Sequence, residues 1–247
     1  MHAKRPLTVK RPVTTKNDDA RKCGRCIKGF PPLPRSSAEK DTYLRDRFRR
    51  VDERRDDVFY RDPRFVEHID RGAIAAVTGV YRRYVPPGAD VLDLMSSWVS
   101  HLPPEVAYAS VTGLGMNAAE LDRNPRLDRR IVHDLNADPV LPFPGDSFDA
   151  ALICVSVQYL TRPVEVFAEL ARGVRPGGRA IVTFSNRCFP TKAVAVWQTT
   201  GDGGHVTLVR GYFAAARGWA DADVLAHAGR GDPLYAIVAN REPPHGM

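Results

Sequence analysis

Val91-Leu92-Asp93-Leu94-Met95-Ser96-Ser97-Trp98 reads as a buried strand that carries an acidic residue near its end and runs straight into a small-residue loop. About fifty residues on, Leu141-Pro142-Phe143-Pro144-Gly145-Asp146-Ser147-Phe148-Asp149 leads into the apolar run of residues 150–157. A third block, Val174-Arg175-Pro176-Gly177-Gly178-Arg179-Ala180-Ile181-Val182, turns tightly and becomes apolar again. Short apolar runs of this length, separated by helical patterns, predict strands covered on both faces in a mostly parallel sheet.

Five strands are expected over residues 91–94, 108–113, 130–133, 149–155 and 179–185, with a terminal pair over 222–226 and 234–239. Pro163 opens a helix over 163–173, because proline suits a first helical turn. A second helix is expected from Asp62-Pro63 to about residue 84, on the spacing of Phe65, Val66, Ile69, Ala73, Ile74, Val77, Val80 and Tyr81. Residues 39–60 carry dense alternating charge with scattered aromatics and read as an exposed helical extension lying across the domain entrance. Residues 1–38 are rich in Pro, Lys and Arg and bury little apolar surface, so the composition predicts a disordered tail. The organisation is therefore a basic tail over 1–38 and one domain over 39–247.

The chain has 247 residues and a net charge of +7. Eleven Lys or Arg against three acids place a local +8 in the first 40 residues, so the remainder is close to neutral. The high charge thus describes the tail, which could touch RNA, an acidic partner or a membrane surface, and says little about what the domain binds. No apolar run reaches the roughly 18–20 residues that cross a bilayer, and the basic N-terminus lacks a signal-type apolar segment. A cytoplasmic protein is expected. Of the four cysteines, Cys154 falls in a strand and Cys188 just after one, while Cys23 and Cys26 form a lone CxxC. A structural zinc site needs four ligands, and no second pair supplies the other two; no metal is expected.

Together the three blocks resemble the class I S-adenosylmethionine-dependent methyltransferases, in particular the small-molecule branch called type 11. The resemblance covers roughly residues 60–241. It implies a Rossmann-like α/β fold: a mostly parallel seven-stranded sheet, helices on both faces and a C-terminal antiparallel pair. It implies S-adenosyl-L-methionine as cofactor and a small-molecule acceptor methylated by in-line transfer. Asp93 then stands at the acidic position of the first motif, with Met95, Ser96 and Ser97 where a Gly-x-Gly loop is usual. The second strand leads through Gly113 to Gly115, which occupies the place of the ribose-binding acid, followed by Met116 and Asn117 beside adenine and ribose. Asp134 and Leu135 would face the adenine. Ser156 falls between cofactor and acceptor, with Tyr159 as a candidate catalytic group and Gln158, Asn186 and Arg187 as acceptor contacts. His101 is a candidate general base, because an imidazole titrates near neutrality; His133 lies beside the adenine position. The missing glycines and ribose acid also keep open a catalytically silent binding or regulatory protein, or an RNA- or protein-modifying enzyme guided by the tail.

Overall fold

The computed structural model describes residues 46–227, 229 and 231–243. The expectations for the 1–38 tail, for Cys23 and Cys26, and for the first part of the 39–60 extension lie outside the described residues.

The chain order is α1 (Asp56–Phe59), α2 (Arg71–Tyr84), β1 (Asp90–Leu94), β2 (Ser110–Gly115), α3 (Ala118–Arg123), β3 (Arg129–Val132), β4 (Phe148–Cys154), α4 (Pro163–Gly173), β5 (Val174–Phe184), α5 (Ala195–Gln198), α6 (Asp202–Ala216), β6 (Asp223–His227) and β7 (Leu234–Asn240). The strands form a single seven-stranded sheet in the order β3-β2-β1-β4-β5-β7-β6. β1 runs parallel to β2 and β4, β2 to β3, and β4 to β5. Only β7 reverses, antiparallel to both β5 and β6. The order turns back at β1, so the carboxyl ends of β1, β2 and β4 border the crevice where such sheets bind ligands.

The alternation of side chains along each strand explains the two cores. Leu92 and Leu94 of β1, Ala151 and Ile153 of β4, Ala180, Val182 and Phe184 of β5, and Ile237 of β7 face α4 and α6. Their neighbours Val91, Ala150, Leu152, Ile181 and Val238 face α2 and α3. Helices therefore cover both faces, as a parallel sheet without a solvated side requires.

Strand positions follow the sequence reading, with β2 lying two residues later and β5 starting earlier, at Val174. The helix expected from Asp62-Pro63 begins only at Arg71, because Asp70 is its cap and accepts from Ala73 N at 2.8 Å. Residues upstream are held in other ways: Arg64 N donates to Glu120 Oε1 at 2.7 Å and Val66 O accepts from Trp98 Nε1 at 3.1 Å. A helix there would need the Val66 carbonyl for its own ladder, whereas first-turn N–H groups such as that of Arg64 have no partner inside a helix. Nor is the extension one helix: its described part is helical only at residues 46–48 and at Asp56–Phe59.

Candidate functional site

A cavity of about 280 Å³ opens at the carboxyl ends of β1, β2, β3 and β4, close to the lower end of the roughly 300–1,000 Å³ usual for small-molecule sites. Its walls come from the loop after β1 (Met95, Ser96, Ser97), the end of β2 and its loop (Leu114 to Asn117), the turn after β3 (His133 to Asn136) and the exit of β4 (Val155, Ser156, Tyr159). Two segments close it from outside: Tyr60, Arg64 and His68 before α2, and Arg187 to Phe189 after β5.

The loop after β1 does without glycine through side-chain anchors. Met95 takes φ 56°, the left-handed conformation that glycine enters freely. Ser96 and Ser100 donate their hydroxyls to Asp93 Oδ2, each at 2.6 Å. Asn124, fully buried, donates to Ser97 O at 2.9 Å and to Ser100 Oγ at 2.8 Å. Ser97 Oγ donates to Glu120 Oε2 at 2.6 Å. Val155, at the exit of β4, is also left-handed with φ 48°, unusual for a β-branched residue. Such positions cost about 1–3 kcal/mol each and gather at functional sites.

The same loop explains Gly115. A Cβ added there would lie 2.2 Å from Ser96 O, and Ser96 N donates to Leu114 O at 2.8 Å. The loop lies directly on the end of β2, so no side chain fits where the ribose acid is usual. A carboxylate still reaches the cavity from the next helix. Glu120 of α3 lines it, held by Ser97 Oγ and Arg64 N. Nothing in the motif spacing pointed to Glu120, since it enters from one helical turn after β2.

Asp93 itself does not line the cavity; it is 3% exposed beneath the loop. Burial pushes its carboxyl up to about 6, offset in part by the two serine hydroxyls. An unfolded aspartate titrates near 3.9, so the ionised buried group is a penalty above pH 6 that is relieved as pH falls through 6 toward 4. Stability of the wild type relative to Asp93→Asn is therefore expected to rise by about 1 kcal/mol between pH 7 and pH 5. Paired denaturation curves at the two pH values check this, and a constant difference would refute it.

Of the other residues singled out from sequence, Met95, Ser96, Ser97, Met116, Asn117, Asp134, Leu135, Ser156, Tyr159, Arg187 and His133 line the cavity. Asn117 caps α3 through Glu120 N at 3.1 Å and donates Nδ2 to Tyr60 O and Arg61 O, both at 2.9 Å. Asp134 Oδ1 closes a turn by accepting from Asn136 N and Ala137 N. Ser156 Oγ is buried with no hydrogen-bond partner among the described residues. Tyr159 Oη accepts from Phe189 N at 2.8 Å, and burial pushes its phenol up to about 12, so at neutral pH it is a protonated donor and no base.

Gly113, His101, Gln158 and Asn186 do not line the cavity. Gly113 lies mid-strand under Leu127. His101 is kept neutral by burial, and its carbonyl accepts from Thr78 Oγ1 at 3.0 Å. Gln158, 1% exposed, donates Nε2 to Val155 O at 3.0 Å. Asn186 stands exposed beyond β5. Gly115, Glu120, Tyr60, Arg64, His68, Asp56, Asn136, Cys154, Leu160, Cys188 and Phe189 also line the cavity.

Asp56 belongs to a buried ionic cluster. It receives Arg50 through both oxygens at 2.8 and 2.9 Å, Lys192 Nζ at 2.9 Å and Asn136 Nδ2 at 2.8 Å. Lys192, wholly buried, also donates to Arg54 O at 2.6 Å. The cluster ties the segment before α2, the turn after β3 and the segment after β5 into one rim.

Among the described residues no group of three or more His, Cys, Asp or Glu side chains could hold a metal, and no helix is long and apolar enough to cross a membrane. Residues 96–182 match the family model described as a methyltransferase domain, type 11. Among solved structures the chain is similar to that of the [4+2]-cyclase SpnF, with a TM-score of 0.52 at 14% identity over 76% of this chain and 92% of that one. It is also similar to the PH0226 protein of Pyrococcus horikoshii OT3, with a TM-score of 0.50 at 17% identity over 75% of this chain and 99% of that one. No curated protein matches it. At such identities the likeness speaks for the fold, while the matched stretch runs from the loop after β1 to near the end of β5. Residues 96–182 thus carry the likeness to the type 11 methyltransferase domain, and the seven-stranded sheet of the chain is Rossmann-like.

Proposed function

We propose that the cavity binds S-adenosyl-L-methionine and that the protein transfers its methyl group to a small-molecule acceptor. The observation that carries this reading is the loop after β1. It takes the left-handed turn at Met95 without glycine and leaves the hollow above β1 and β2 open.

The residues present fit the group. Ser96 and Ser97 lie where its amino-acid end would come close to the backbone. Glu120 supplies the carboxylate absent at Gly115, Met116 and Leu135 give apolar faces for adenine, and Asp134 Oδ2, which has no donor among the described residues, can take the adenine amino group. Ser156 Oγ is an orphaned hydroxyl at the cavity wall. When bound, the sulfonium supplies an electrophilic methyl. The protein's part is to align the acceptor, exclude water and set negative charge near the cationic donor. Glu120 and Asp134 give the walls that charge, while the ionic rim of Asp56, Arg50 and Lys192 holds the outer segments closed. Tyr159 donates a hydrogen bond on the acceptor side.

Titration calorimetry with S-adenosylhomocysteine tests the reading: binding is expected, and silence at millimolar ligand would end it. Glu120→Gln removes a charge-assisted contact worth roughly 1.5–3 kcal/mol, so affinity is expected to fall by about 10–100-fold. A second reading, a protein that binds the cofactor without methyl transfer, has one observation in its favour: a neighbour on this fold is described as a [4+2]-cyclase. Transfer assays with bound donor separate the two.

A further inference from the structure

Arg64 stands out among the cavity's charged groups. Arg187 donates Nε to Asp232 at 2.7 Å, and Glu120, Asp134 and Asp56 have the partners given above. Arg64 forms no ion pair among the described residues. Its Nη2 donates to Phe59 O at 2.9 Å, while Nη1 is shut off from solvent without a hydrogen-bond partner among the described residues. The guanidinium is nonetheless held firmly. Its carbon lies 4.6 Å from the Phe59 ring centre, 5.4 Å from Phe189 and 5.8 Å from Tyr60. Stacking of this kind pre-orients a planar fork that fits a carboxylate.

The surrounding rings define what else the ligand must carry. Phe189 packs on Tyr159 with centroids 5.9 Å apart and planes at 28°, and meets Phe59 and His68 edge-on at 5.6 and 5.2 Å. This aromatic corner is built from the exit of β4, the segment after β5 and the segment before α2. It is separate from the 95–97 loop, which Arg64 approaches with its backbone, through Glu120. A flat conjugated body suits the rings, and a carboxylate suits the unpartnered nitrogen.

We propose that Arg64 is the carboxylate receptor of the acceptor subsite, and that the acceptor is a planar aromatic or conjugated acid. The proposal rests on the methyltransferase reading for the word acceptor, but its binding test does not need the donor. A carboxylate could also come from the methionine end of the donor, so the experiment separates the two.

The full chain is titrated by calorimetry and ligand-observed NMR with 4-hydroxybenzoate and with its neutral counterpart 4-hydroxybenzamide. The wild type is expected to favour the acid by about 10-fold or more, the scale of one charge-assisted bond. Arg64→Gln is expected to erase that preference, and Arg64→Lys to keep part of it. Both variants should bind S-adenosylhomocysteine and 5′-methylthioadenosine as the wild type does. Equal binding of acid and amide by the wild type overturns the proposal and needs no variant. So does a variant that weakens S-adenosylhomocysteine but not 5′-methylthioadenosine, since the carboxylate would then be the donor's. Failure of the wild type to bind S-adenosylhomocysteine strikes the proposed function instead, and leaves the acid-over-amide comparison to be judged by itself.

Discussion

Gly115→Asp, which writes the usual ribose-binding acid back into the second motif, is expected to abolish S-adenosylhomocysteine binding and to destabilise the fold by about 3 kcal/mol. Any Cβ at position 115 would lie 2.2 Å from Ser96 O and 3.2 Å from Leu121 Cδ2. The first neighbour is backbone and has little freedom to retreat. Ser96 is fixed by its own amide to Leu114 O and by its hydroxyl to Asp93, and the loop beyond it by Asn124. The side chain can enter only by tearing the loop from β2, and the loop forms one wall of the cavity. Gly115→Ala should carry most of the stability loss, because the collision is with Cβ and not with the carboxylate. Urea denaturation with calorimetric titration checks both effects. A Gly115→Asp protein of wild-type stability that binds more tightly would show that the loop does not rest where it is described.

Asp56→Ala is the second large effect, expected to cost about 3–5 kcal/mol and to lower the melting temperature by roughly 10 °C. Asp56 is 4% exposed and accepts from Arg50, Lys192 and Asn136. Arg50 and Asp56 side chains are nearly as buried as Lys192, which is wholly so. Removing the one shared carboxylate leaves two buried cations, and the Asn136 amide loses an acceptor as well. Among the described residues Lys192 keeps the Arg54 carbonyl at 2.6 Å, with Asp52 at 4.0 Å and the face of the Phe59 ring at 5.2 Å. The cost falls on the rim, so cofactor affinity should drop along with stability. A Asp56→Ala protein that melts with the wild type would mean that the cluster is open to water.

Much of the fold was legible because its signals are local. The apolar runs at 91–94, 149–155 and 179–185 meet strands β1, β4 and β5, and Pro163 begins α4 where a proline should. The antiparallel terminal pair also lies close to where the turn residues put it. The helix expected from Asp62 starts later, at Arg71, for the opposite reason. Phe65 and Val66 fit helical spacing, yet they stay 40% and 54% exposed, since their segment is recruited by Glu120 and Trp98, distant in the chain. Periodicity reports which residues could share a face, and has no access to a partner fifty residues away.

The site divides along the same line. By itself the sequence determined the order of strands and loops, hence which backbone segments meet at the carboxyl edge of the sheet; strand pairing and short connections leave few alternatives. Only the tertiary structure decided which acid serves the cavity. Side chains alternate along β1, and Asp93 shares its parity with Val91, so it points under the loop where Ser96 and Ser100 engage it. Glu120 reaches the cavity because α3 follows β2 at once and turns that residue toward Ser97. Likewise Asp56, Arg64 and Lys192 acquire their places from packing between segments far apart in sequence. A motif records what a backbone can approach, whereas burial and the direction of each side chain are settled by everything packed around it.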